Sequence, residues 1–320
     1  MHSSKIVSLL SRGIRAGSLD FTLPGGERHT IRGEEPGPKA TVVVHRWRTL
    51  RRLAFGGRIG LAEAYMDGDW DSPDLVPVIE LAVRNHGLAE CGIRPSTAVR
   101  LLLWLRHSLR ANTLSGSRKN IAYHYDLGNA FYASWLDSTM TYSSAIYAVP
   151  DQSLDEAQRN KYRQLLDRME ATHNDHVLEI GCGWGSFAIL AAKERGVKVT
   201  GITLSREQHD LAAARVQSEG LAERVSIEMR DYRDVSETYD HVASIEMLEA
   251  VGERYWPVFF SKVFDSLKSG GRAALQVITI DDRYFESYRR SADFIQTYVF
   301  PGGMLPSPGV LQREVAEAGL

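Results

Sequence analysis

One stretch constrains this chain more than any other: Val177 to Gly185, VLEIGCGWG, where a short apolar run ends abruptly in glycines spaced GxGxG. An apolar run bounded by glycine reads as a buried strand. Glycines at its carboxyl end permit positive φ and let the backbone approach a ligand closely. The same alternation of strand and helix continues downstream. Strands are expected at His176 to Ile180, Lys198 to Thr203, Val225 to Met229, His241 to Ile245 and Ala273 to Ile278. Helices are expected at Ser186 to Arg195, Arg206 to Gly220 and Tyr255 to Leu267. Strands alternating with helices imply parallel βαβ units, so the expected fold class is α/β, with a doubly wound, Rossmann-like sheet.

The loop also narrows the ligand. A phosphate-gripping loop would need GK[ST], which is absent, and a dinucleotide site would more typically show GxGxxG. Glu179, just before Gly181, Gly183 and Gly185, suits a ligand that carries an ammonium and a sulfonium, which points to S-adenosylmethionine. At the end of the second strand, GITLSREQ offers no acidic residue for a nicotinamide-cofactor ribose. Thr203, Leu204, Ser205 and Gln208 supply neutral groups instead, and Ser205 equally reads as a helix cap. Beyond the third strand, Tyr232 and Arg233 lie where an adenine ring would rest, or in a solvated turn.

The first part of the chain has a different character. Before Asn120 there are 18 basic and 11 acidic residues, against 20 and 29 from there on. The basic residues sit among apolar ones, as in Arg46-Trp47-Arg48 followed by Arg51 and Arg52, a pattern that attracts an anionic membrane surface as readily as nucleic acid. Residues 1–110 are expected to form a small α+β domain, with a strand at Ala40 to His45 and helices at Ile59 to Tyr65 and Leu75 to Val83. Met1 to Gly17 reads as a short amphipathic helix rather than a signal peptide. Thr97 to Leu109 is a strongly amphipathic helix that either docks on anionic lipid or packs between domains. Residues 111–120 read as a linker and 121–320 as the sheet domain. No apolar run is long enough to span a membrane. With only Cys91 and Cys182, neither a disulfide framework nor a metal centre is expected, and a cytoplasmic setting follows.

Further segments carry a resemblance: Tyr123 to Tyr132 (YHYDLGNAFY), Met140 to Ala145 (MTYSSA) and Ile245 to Gly252 (IEMLEAVG). With LEIGCGWG and GITLSREQ, they resemble the cyclopropane-fatty-acid synthases and mycolic acid methyltransferases. Gly60 to Trp70 (GLAEAYMDGDW) is similar to the N-terminal module of that family. The resemblance implies methyl transfer from S-adenosylmethionine to the double bond of an unsaturated phospholipid acyl chain, then proton loss from the carbocation and closure of a cyclopropane ring. Such a cation calls for a dry, aromatic-lined site, for which Tyr142, Tyr125 and Phe131 are candidates, with core packing as the alternative. By the same resemblance, Tyr142 and Ser143 join the glycine loop in holding the cofactor. The implied setting is cytoplasmic and peripheral at the inner face of the membrane, with a homodimer left open and no nucleic-acid partner.

In that family the base is a bicarbonate ion, and its contacts map by motif to Ser144, Glu249, Gln276 and Ile278. Two depart from the pattern: serine stands for cysteine at 144, and Gln276 stands for a histidine and cannot become cationic. The family's C-terminal tyrosine lies beyond Leu320, so the last antiparallel strands of the sheet are expected to be missing. The departures favour a second outcome, methylation of the same alkene without ring closure. Two other readings are a non-catalytic binder of cofactor or lipid, and a methyltransferase acting on a small amine or nucleic acid.

Overall fold

The computed structural model describes residues 11, 13–85, 116, 127–290 and 292–320. The chain divides into two compact units, Met1–Leu105 with Ser291–Phe294, and Arg106–Arg290 with Ile295–Leu320. The expected helices at Met1 to Gly17 and Thr97 to Leu109, the linker at 111–120 and Tyr125 lie wholly or largely outside the described residues.

In the first unit, four strands form one sheet, β1 (Ala16–Thr22), β2 (Arg28–Arg32), β3 (Glu35–Val44) and β4 (Trp70–Asp71), in the order β2-β1-β3-β4. β3 starts earlier than the strand expected at Ala40. The helix expected at Ile59 to Tyr65 runs instead over Arg48–Met66, with a break at Gly57 where φ is 59°. Phe21, Leu23, Ile31, Ala40 and Leu81 make the core of this unit. Asp69, wholly buried, accepts from Arg46, Arg48 and Arg52. The neighbouring guanidinium of Arg48 holds its carboxyl below the usual range. Three of the arginines read as a free basic surface are therefore engaged by one internal carboxylate.

The second unit is built on five strands, β5 (His176–Ile180), β6 (Lys198–Thr203), β7 (Val225–Met229), β8 (Tyr239–Ile245) and β9 (Leu267–Gln276). Their order is β7-β6-β5-β8-β9 and every pairing is parallel. This is the expected doubly wound α/β sheet. β5, β6 and β7 fall where the apolar runs put them. β9 begins at Leu267 and ends at Gln276, so Val277 and Ile278 leave the sheet instead of extending it.

Both faces of the sheet are covered, as buried parallel strands require. Leu165, Leu166, Met169, Phe187, Leu190 and Val199 belong to one core cluster, and Leu178, Ile202, Val242, Trp256, Phe259 and Phe260 to another. Helix Ser186–Arg195 is buried over most of its length, so it lacks an amphipathic stripe. The strand order reverses between β5 and β8. In open α/β sheets, the crevice outside the carboxyl ends at such a point is where ligands bind.

Candidate active site

A cavity of about 1040 Å³ opens at that crevice, walled by the first residues past each strand: Gly181 to Trp184, Leu204, Arg230, Glu246 and Met247, and Val277 and Ile278. Backbone geometry shapes the glycine loop. Gly181, Gly183 and Gly185 have φ of 83°, 52° and 81°, in the left-handed region that disfavours a Cβ. A Cβ on Gly181 would also lie 2.7 Å from Met247. Gly185 is not part of the wall; it precedes helix Ser186–Arg195 and packs against Ala212.

Glu179 sits in β5 between Gly201 and Ala243, small neighbours that leave space beside its side chain. It is 2% exposed and lines the cavity, and its Oε2 has no hydrogen-bond partner among the described residues. Burial pushes this carboxyl up to about 8. An unpaired buried carboxylate is costly, and a cation entering the cavity would remove the cost. At the end of β6, Thr203 donates to Gln208 at 2.8 Å, and both line the cavity. Ser205 does not; it caps the next helix by accepting from the Gln208 amide at 3.3 Å. Tyr232 and Arg233 line the far side, with the guanidinium 5.3 Å from the ring centre. Burial pushes the Tyr232 hydroxyl up to about 12.

The opposite wall is the segment Met140 to Ala145, anchored from below by helix Leu154–Met169. Gln158 donates to the Ser143 carbonyl at 2.7 Å. Lys161, 0% exposed, donates to the Ser143 hydroxyl and, at 3.0 Å, to the Ser144 carbonyl. Burial brings this ammonium down to about 8, against the pull of Glu246, Asp137 and Glu179. Tyr142, Trp135 and Trp184 line the cavity, Tyr142 with its ring 5.4 Å from Trp135. Phe131, expected in that lining, is instead 47% exposed and outside it, because its short helix turns Tyr132 inward.

Ser144, Glu249, Gln276 and Ile278, distant in sequence, all reach this cavity. Glu249 accepts from the Ile278 amide through Oε1, while its Oε2 is buried and without a partner among the described residues. Burial, reinforced by the charge of Glu246, pushes Glu249 up to about 7. Gln276 donates to Glu246 at 2.7 Å and to the Ser144 hydroxyl at 3.0 Å.

Glu246 and Lys161 escaped the sequence reading. Lys161 had a signal: it falls on the stripe Gln158, Tyr162, Leu165, Leu166 and Met169, the buried face of its helix. Glu246 had only its place directly after a buried strand.

A parallel sheet in this order, with a glycine loop and a buried acidic side chain at its switch point, has the fold of S-adenosylmethionine-dependent methyltransferases. The family model described as mycolic acid cyclopropane synthetase matches residues 113–320, and the chain belongs to that family. It is similar to tuberculostearic acid methyltransferase UfaA1 of Mycobacterium tuberculosis, with 42% identity over 84% of this chain and 65% of that protein. Cyclopropane-fatty-acyl-phospholipid synthase of Escherichia coli is 33% identical over 84% of this chain and 66% of its own length. The chain thus spans about two thirds of these curated relatives. Among solved structures, mycolic acid cyclopropane synthase CmaA1 complexed with SAH and CTAB superposes with a TM-score of 0.60 at 29% identity, covering 63% of this chain and 74% of that one.

Proposed function

We propose that this protein transfers the methyl group of S-adenosylmethionine to the double bond of an unsaturated phospholipid acyl chain. One observation carries the reading: a single cavity joins an unpaired buried carboxylate beside a glycine loop to a wall of Leu136, Met140, Ile278, Ile295, Phe300 and Leu305. The first part suits a cationic cofactor and the second an acyl chain. When bound, S-adenosylmethionine supplies an electrophilic methyl on its sulfonium.

The chain's own residues supply the rest. Glu179 pairs with the cofactor's positive charge, Gly181 and Gly183 admit it at backbone distance, and Thr203, Leu204, Gln208, Tyr232 and Arg233 border its nucleoside end, with Ser205 and Gly185 shaping the turns behind. Tyr142, Trp135 and Trp184 present π faces to the cation that forms on the acyl chain, and the apolar wall keeps out water that would trap it. A cytoplasmic protein at the inner face of the membrane, with a basic first domain, fits such a substrate.

Ring closure to a cyclopropane is the outcome the family implies. Methylation without ring closure is the second reading, and a specific observation favours it. Gln276 cannot carry a proton, and the 42% identical relative is named a tuberculostearic acid methyltransferase rather than a cyclopropane synthase. The test is to incubate the protein with labelled S-adenosylmethionine and vesicles of unsaturated phosphatidylglycerol, then analyse the lipid. NMR signals of ring methylene protons would establish the cyclopropane, and a methyl branch or a methylene (=CH2) branch on the open chain the alternative. No label in lipid from a cofactor-binding sample would sink both.

A further inference from the structure

The donors at the base end of the cavity are each engaged by a carboxylate of the chain itself, Gln276 sharing its amide with the Ser144 hydroxyl and carbonyl as well. The Ser144 amide donates to Glu246 Oε1 at 3.0 Å, the Ser144 hydroxyl to the same oxygen at 2.8 Å, and the Gln276 side-chain amide again to it at 2.7 Å. The Ile278 amide donates to Glu249 Oε1. These are the very groups that the family resemblance would assign to an external bicarbonate. A small anion entering here would find its donors engaged and two glutamates on the wall, one of which it would have to displace.

Glu246 is held at this place against its backbone preference. Its φ is 50°, a conformation that costs an L-residue about 1–2 kcal/mol and that glycine would adopt freely. Its amide donates to the Gln276 carbonyl at 2.8 Å, which pins the turn beyond β8 to the end of β9. Strain at a cavity wall, where the side chain collects three donors on one oxygen, is the pattern of a functional position. Oε2 of Glu246 takes no hydrogen bond from any described residue and belongs to a residue lining the cavity.

We infer that Glu246 replaces the external anion in this protein, its Oε1 clamped by Ser144 and Gln276 and its Oε2 serving as the proton acceptor of the reaction. The inference rests on the methyl-transfer reading above. In the ring-forming outcome, a C–H bond of the newly added methyl breaks, its electron pair forms the third C–C bond of the ring, and the proton passes to Glu246. Without ring closure, the pair of a neighbouring C–H bond forms a C=C bond and the proton takes the same route. Water receives it after product leaves. Gln276 then needs no proton of its own, since its task is to donate to a carboxylate.

The test uses the full-length protein, labelled S-adenosylmethionine and vesicles of dioleoyl phosphatidylglycerol in CO2-free buffer, with and without added bicarbonate. The wild-type protein is expected to methylate lipid at the same rate in both. Glu246→Gln, which keeps an acceptor for Ser144 and Gln276, should lose about 100-fold or more in rate, the scale of a missing general base, with cofactor affinity by calorimetry retained. Glu246→Asp should retain more activity than Glu246→Gln. A wild-type rate that depends on added bicarbonate overturns the inference and leaves methyl transfer standing, as does full activity in Glu246→Gln. Wild-type protein that binds the cofactor but labels no lipid overturns the parent reading and this one with it. The bicarbonate comparison needs no variant, so it decides the matter even where substituted proteins fail to fold.

Discussion

The two ends of the cavity are built on opposite principles. At the glycine loop, the protein leaves a need unmet: Glu179 is buried, raised to about 8, and holds an oxygen without a partner among the described residues. At the base end, Ser144, Gln276 and the Ile278 amide have already found Glu246 and Glu249. A buried carboxyl with an unpaired oxygen gains energy from a cationic ligand, while donors already engaged by the chain's own carboxylates gain little from an anion and resist exchange. Glu249 nevertheless keeps one oxygen without a partner among the described residues at that end too. The contrast fits the proposed division between a place for binding and a place for chemistry.

Breaking the first end should have the largest effect on cofactor binding. Glu179→Gln keeps the shape and removes the charge, so S-adenosylmethionine affinity by calorimetry should fall about 10- to 100-fold, the worth of one charge-assisted hydrogen bond. Unchanged affinity would mean that the carboxylate serves the fold alone.

The pH dependence is of similar origin. The free carboxyl of Glu179 is raised from 4.5 to about 8, so between those values the folded state keeps a proton that the unfolded chain has released. Stability of the ligand-free protein should therefore fall as pH rises through that window, and the slope should soften in Glu179→Gln. A bound cation favours the ionised form, so cofactor affinity should rise by up to about tenfold per pH unit below 8, with proton release measurable in buffers of different ionisation enthalpy. Flat affinity over that range would remove Glu179 from cofactor binding.

At the self-satisfied end, a titrating side chain should matter less. Gln276→His is expected to change the methylation rate only a few-fold and to add a break near pH 6.5, roughly the ordinary value of histidine. A large gain in rate on adding bicarbonate to this variant would show that the end opens to an anion. Lys161→Met should have the smallest effect on the fold, moving stability by less than about 1 kcal/mol, because the lost hydrogen bonds offset the relief of a desolvated ammonium. Its readout is the product: looser anchoring of Ser143 and Ser144 should lower the rate while thermal unfolding stays put.

The N-terminal unit shows where reading by composition runs out. Arg46, Arg48 and Arg52 look like part of a basic surface in sequence, yet Asp69 gathers all three. Charge counts carry no partners, and an acidic residue some 20 positions away changes what a basic cluster is free to do. Arg51 is outside that group, while Trp47 and Phe55 are 49% and 63% exposed. The basic cluster without an internal partner among the described residues is smaller than the one composition suggested.

Local features of the sequence determined the sheet domain. The apolar runs of β5, β6 and β7 are continuous because parallel strands are buried on both faces, and the glycines after β5 declare a turn that other residues make only under strain. That is enough to place the cavity and its glycine-loop end, since both follow from strand ends and short loops. The base end is another matter. Ser144 and Glu246 are 102 residues apart, and Gln276 is 30 beyond Glu246. No periodicity marks their meeting, because it depends on β8 and β9 lying side by side and on a helix with a buried lysine holding a loop against them. Which donor finds which carboxylate was decided by tertiary packing, because the pairing needs three distant segments to meet.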